Sequence, residues 1–217
     1  MCFSATASFS VAATTAIIGI ALLKHVRQPR EILVAAVPLL FAFQQSVEGI
    51  LWLQLSGEAD TVDDANLTMA FLLFAQVLWP AYTAIAVLVI EPGPRRRFFL
   101  GIIAVAGFTL STYLSISLFG DPQTATIQNH SIAYANKVNP FSWRQLPYVI
   151  CTCIPPLISS HRPIQIFGLM VLVGFFVSAY FYFATFISVW CFFAAAGSLF
   201  LFFCFKRDAL RAARSRA

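Results

Sequence analysis

The sequence predicts an all-α, polytopic integral membrane protein: a seven-transmembrane-helix bundle with its N-terminus outside and its C-terminus in the cytoplasm. Three observations carry this expectation. Of 217 residues, 59% are apolar and only 11% charged, against about 25% charged in a soluble domain. The charges fall in short blocks, and between them run apolar stretches of about 18 residues or more, the length of a bilayer-crossing helix. Once those stretches are threaded back and forth, the basic residues sort to one side. The net charge of +5 is therefore a matter of loop placement. It is not a nucleic-acid footprint, and the partner the composition calls for is the lipid bilayer.

The first helix is read over 5–23 and the second over 32–55. The third covers 67–90 and the fourth 98–119. The fifth, 146–160, is short and contains Pro155 and Pro156, which predicts a kink or a break. The sixth (164–182) and seventh (184–205) come from one apolar run of 42 residues. As a single helix that run would reach about 63 Å, twice the hydrocarbon thickness. It must fold back, and the turn is placed at Tyr182–Thr185, beside the aromatic cluster Tyr180, Phe181 and Tyr182, because tyrosines suit the membrane–water interface. Residues 206–217 form a basic cytoplasmic tail.

Seven spans put 12 of the 14 basic residues on one side: Lys24, Arg27, Arg30, Arg95–Arg97, Arg162 and five in the tail. The other side receives Lys137 and Arg144, together with Glu58, Asp60, Asp63, Asp64 and Asp121. The positive-inside rule makes the first side cytoplasmic. The first helix is expected to be retained rather than cleaved, since its flank MCFSATASFS has no basic residue and the positive charges follow the apolar run. Five cysteines, Cys2, Cys151, Cys153, Cys191 and Cys204, include no CxxC pair, which argues against a disulfide framework.

The intramembrane polar residues concentrate in the outer halves of the helices. Gln44, Gln45, Glu48 and Trp52 share one face of the second helix by i+3 and i+4 spacing. Glu48 falls about 7 Å outward of the midplane, and Gln76 on the third helix about 4 Å. The fourth helix adds Thr109, Thr112 and Ser115, the sixth Ser178, and the seventh Thr185, Ser188 and Cys191. The inner halves, such as ILVAAVPLLFAF and FFLGIIAVAGF, have no hydrogen-bonding side chain. A carboxylate at such depth costs about 2.5–3.5 kcal/mol on insertion scales unless it is paired, protonated or wet. The expected arrangement is a polar pocket, open outward, around Glu48. Its candidate lining is Gln44, Gln45, Gln76, Thr112 and Ser188, with His130 of the long outer loop above it. The glutamines also serve as ordinary interhelical glue.

Cys2, Glu48, His130 and Cys191 together would offer S, O, N and S ligands of the kind zinc or another transition metal accepts, though they come from four separate segments without metal-site spacing. His161 in SSHRP lies at the inner surface and reads as a helix-end residue meeting carbonyls or headgroups. Three function classes follow. The first is a sensor or accessory protein that binds a small molecule or ion in the pocket. The alternative is a membrane-embedded, metal-dependent hydrolase-type enzyme using Glu48 and His130. The third is a transporter or channel, which the oily inner halves disfavour.

The opening MCFSATASF, then VEGILW, HSIAYAN and the late SVWCFFAA, resemble an uncharacterised family of bacterial multi-pass membrane proteins, domain of unknown function 6629. The likeness spans nearly the whole chain. It implies a bacterial inner (plasma) membrane protein and brings no activity with it. It draws attention to Cys2, Glu48, His130 and Cys191, which lie within those segments. A retinal protein fits worse, because the seventh span has no lysine.

Overall fold

A computed structural model describes residues 4–58, 63–128, 130–135 and 139–214, with side chains up to residue 202. Helix α1 runs Ala5–His25, capped by the Ser4 hydroxyl, which accepts from the Ala7 N–H at 3.2 Å. A 3₁₀ turn, Pro29–Glu31, leads into α2, Ile32–Leu55. The next rod has three parts: α3 (Asp64–Leu72), a π-helical stretch (Leu73–Leu78) and α4 (Trp79–Ile90). It starts earlier than the hydropathy suggests, because the Asp63 carboxylate caps the Ala65 N–H. Helix α5 is Pro94–Gly120, α6 Leu146–Ile158, α7 Arg162–Phe181 and α8 Phe186–Arg214. Between α5 and α6 the described residues form an antiparallel hairpin, β1 (Ala125–Gln128) and β2 (Ser131–Tyr134).

The molecule is all-α apart from that hairpin. Six of its helical rods are long and apolar enough to cross a membrane. The seventh rod, α6, has 13 residues and is about 20 Å long, short of the roughly 30 Å of hydrocarbon. It stays helical through Pro155 and Pro156, which occupy its last turn. The carbonyls that lose their donors are those of Cys151 and Thr152, four residues back. The turn between α7 and α8 is a 3₁₀ helix, Phe183–Thr185.

The π stretch has a cause in the sequence. Pro80 has no N–H to offer the Gln76 carbonyl in α register, nor the Ala75 carbonyl in π register. The Tyr148 hydroxyl of α6 donates to Ala75 O instead. Against the same rod, Gly107 lets α5 approach closely: a Cβ there would sit 2.3 Å from Pro80 O.

Two apolar clusters fill the bundle. One surrounds Phe41, Trp79, Phe175, Phe186 and Trp190, with Phe41 stacked on Trp79 at 4.2 Å. The other joins Leu51, Phe71 and Leu118 to Ile132 and Tyr134 of the hairpin. By contrast, α5 presents Phe98, Val105, Phe108, Ile116 and Phe119 to the outside, all more than half exposed. An apolar face of that extent calls for lipid. Six such helices and this lipid-suited face mark the chain as compatible with a membrane protein.

Candidate functional site

The polar residues of α2 meet those of α8 in the interior. Glu48 has no exposed surface. Its Oε1 accepts from the Ser188 hydroxyl at 2.5 Å, and its Oε2 from Gln45 Nε2 at 2.9 Å. The i+3 spacing of Gln45 and Glu48 on one helix makes the second bond local; the first ties α2 to α8. One turn beyond Ser188, Cys191 follows on the same face of α8 and is buried against Val47 and Leu51 of α2. Gln44 accepts from Trp79 Nε1 at 3.1 Å. Two hydrogen-bonding positions remain open in this sealed cluster: Gln44 Nε2 and Gln45 Oε1 have no partner among the described residues. A buried polar atom left so costs about 1–3 kcal/mol.

Glu48 itself lines none of three cavities found around it. The largest, about 600 Å³, is a cleft between α5, α6 and the start of α8. Its deep wall carries Gln76 from the π stretch and Cys191, and its rim carries Trp143 and Arg144. Glu48 is thus one side chain removed from the cleft, behind Cys191. A second cavity, about 60 Å³ and almost wholly apolar, lies toward Ile164 and Leu201. Tyr148, Trp190 and Cys191 line both and form the partition between them. A third, about 400 Å³, lies under the hairpin against Phe183–Ile187.

The predicted site residues separate accordingly. Gln44, Gln45, Glu48 and Ser188 come together, with Cys191 beside them, and Gln76 is buried on the cleft wall. Thr112 does not join them. It is exposed, and its hydroxyl bonds to the Phe108 carbonyl of its own helix. The buried hydroxyl on α5 is Ser111, one residue and about 100° around the helix. His130 is exposed at the tip of the hairpin with φ 57°, so it serves the turn. Cys2 lies outside the described residues. Of the four proposed zinc ligands, the structure brings Glu48 and Cys191 together, and no group of three His, Cys, Asp or Glu residues occurs among the described residues.

Sequence reasoning missed a second polar centre at the opposite end. Glu91, just past α4, is 1% exposed. Its Oε2 accepts from the Ser160 N–H at 2.8 Å and the Ser159 hydroxyl at 3.5 Å, and its Oε1 from the Ser160 hydroxyl. Arg96 Nη1 stands 4.0 Å away and also donates to Ser160. Burial alone would raise this carboxyl; the hydrogen bonds from Ser160 and from the Gly93 backbone, with the Arg96 charge, hold it below the usual glutamate value. His161 contacts the Ile90 carbonyl at 3.2 Å. The available signal was an acid placed between an apolar run and three arginines, IEPGPRRR. The arrangement clamps the α4–α5 turn to the α6–α7 turn.

The chain belongs to a family of unknown function. That family is DUF6629, whose model matches residues 1–216. No curated protein and no solved structure matches the chain.

Proposed function

We propose that this is a seven-span protein of the bacterial inner membrane, N-terminus outside and C-terminus inside, that binds a small ligand through the cleft between α5 and α6. In this reading α6 completes the seventh crossing despite its length, supported by the sorting of basic residues to one side. The hairpin end is then the outer end. The observation that carries the binding reading is the position of Cys191. It forms cleft wall and stands one helical turn from Ser188, the α8 residue that bonds to Glu48. A cleft of about 600 Å³ falls within the usual range for ligand sites. The polar side chains that the cleft itself offers a ligand are Gln76 on its wall and Arg144 on its rim.

Thiol labelling tests this. In delipidated, detergent-purified full-length protein whose only cysteine is Cys191, a small methanethiosulfonate should modify the thiol. Leu114→Trp, which fills the cleft from α5, should slow that reaction at least tenfold. A thiol that stays unreactive in folded protein, or that reacts equally in both, would overturn the reading. A tag at each terminus, probed from outside intact cells, checks the orientation: only the N-terminal one should be reached.

A further inference from the structure

The cleft has two unlike ends. Its rim carries Trp143 and Arg144, while Leu110, Leu114, Ile187 and Trp190 line its depth. Tyr113 is on the same wall and is 67% exposed, although it belongs to the membrane-crossing part of α5. A residue exposed at that level faces hydrocarbon, so the cleft opens sideways into the bilayer. The Arg144 guanidinium lies 5.8 Å from the Trp143 ring centroid. No carboxylate among the described residues comes within 4.0 Å of it. An indole and a guanidinium together suit the headgroup layer, and a guanidinium without a protein counter-charge is matched in shape and charge by a phosphate.

We propose that the cleft holds one anionic glycerophospholipid of the outer leaflet. Its phosphodiester sits on Arg144, and one acyl chain lies along Leu110 and Leu114 toward Trp190. This rests on the reading of the cleft as the ligand site and names the ligand class. The chain end then abuts the partition of Tyr148, Trp190 and Cys191, beyond which lies the apolar cavity. The lipid therefore reports its presence to the thiol next to Glu48.

Native mass spectrometry of the detergent-purified full chain, titrated with phosphatidylglycerol, tests the proposal. Wild type should retain one lipid per chain. Arg144→Gln, an exposed change, should weaken retention about tenfold, the loss of one charge-assisted hydrogen bond. Leu114→Trp should abolish retention while the helical circular dichroism persists; if that variant does not fold, Arg144→Gln alone carries the test. Phosphatidylcholine should bind more weakly than phosphatidylglycerol. Equal retention by wild type and Arg144→Gln would overturn the proposal. So would displacement of the lipid by inorganic phosphate at equal concentration, which would mark a headgroup-only anion site. Failure here with Cys191 still reactive in the labelling assay would leave the cleft as a site for another ligand.

Discussion

Ser188 and Glu48, 140 residues apart in sequence, meet hydroxyl to carboxylate at 2.5 Å in the centre of the bundle. The bond links the C-terminal half of α2 to the first turn of α8. Both residues are fully buried, so neither has water to fall back on.

Ser188→Ala is expected to destabilise the protein. The loss should lie between about 0.6 kcal/mol, typical of an interhelical hydrogen bond in a membrane, and about 3 kcal/mol, for a buried acceptor deprived of its donor. Thermal unfolding in detergent of Ser188→Ala, Glu48→Gln and the double variant forms a cycle. Strictly additive losses would show that the contact carries no energy of its own.

The Glu91 clamp predicts an acid-side instability. Because its carboxyl titrates below the ordinary value when folded, its contribution is whole above about pH 4.3, the unfolded glutamate value, and is lost as pH falls through the lower folded one. Unfolding temperatures measured down a pH series should drop over that window in wild type. Glu91→Gln should be less stable at neutral pH and show a shallower fall. Parallel curves would remove Glu91 from the account.

Gly107→Ala should push α5 away from α4, since the added carbon would meet Pro80 O at 2.3 Å. Overpacking of this kind costs about 1–3 kcal/mol. Gly101, which has open space around its Cβ position, is the matched control: Gly101→Ala should be neutral or stabilising. A reversed order in the two melts would contradict the packing described.

Tyr148→Phe should leave the Ala75 carbonyl without the hydroxyl that meets it in the π stretch, at a cost of about 1–3 kcal/mol. The change adds no bulk. A variant as stable as wild type would mean that the carbonyl finds another donor.

The all-α class could be read from the apolar runs, and Glu48 stood out as an acid inside one of them. Periodicity also put Gln44, Gln45 and Glu48 on one face of α2. It did not say which neighbour that face meets, so the cleft's separation from Glu48 by Cys191 was out of reach. On α5 the hydroxyls at 109 and 112 suggested a polar stripe, yet the helix turns its small residues, Ala104, Gly107 and Ser111, inward. Hydroxyls that bond back to their own helix tolerate lipid and so carry no facing information. The hairpin had a signal: TATIQ and SIAY flank the dipeptide Asn129-His130. It was hidden in a stretch rich in turn formers. The π stretch was hinted at only by Pro80, which fixes a missing N–H but not how the helix accommodates it.

In the proposed seven-span arrangement, the brevity of α6 has a consequence for the surrounding membrane. Even with the 3₁₀ turn Trp143–Gln145 that leads into it, a rod of about 26 Å leaves several ångströms of a standard bilayer's hydrocarbon unmatched on that flank. Lipids beside α6 must compress, or the polar groups at its ends must sink below the headgroups, each at a small elastic cost per ångström. With α6 as a seventh crossing, the hydrophobic thickness would be lopsided, thinner beside α6 than around the long rods. That mismatch favours residence in thin bilayers.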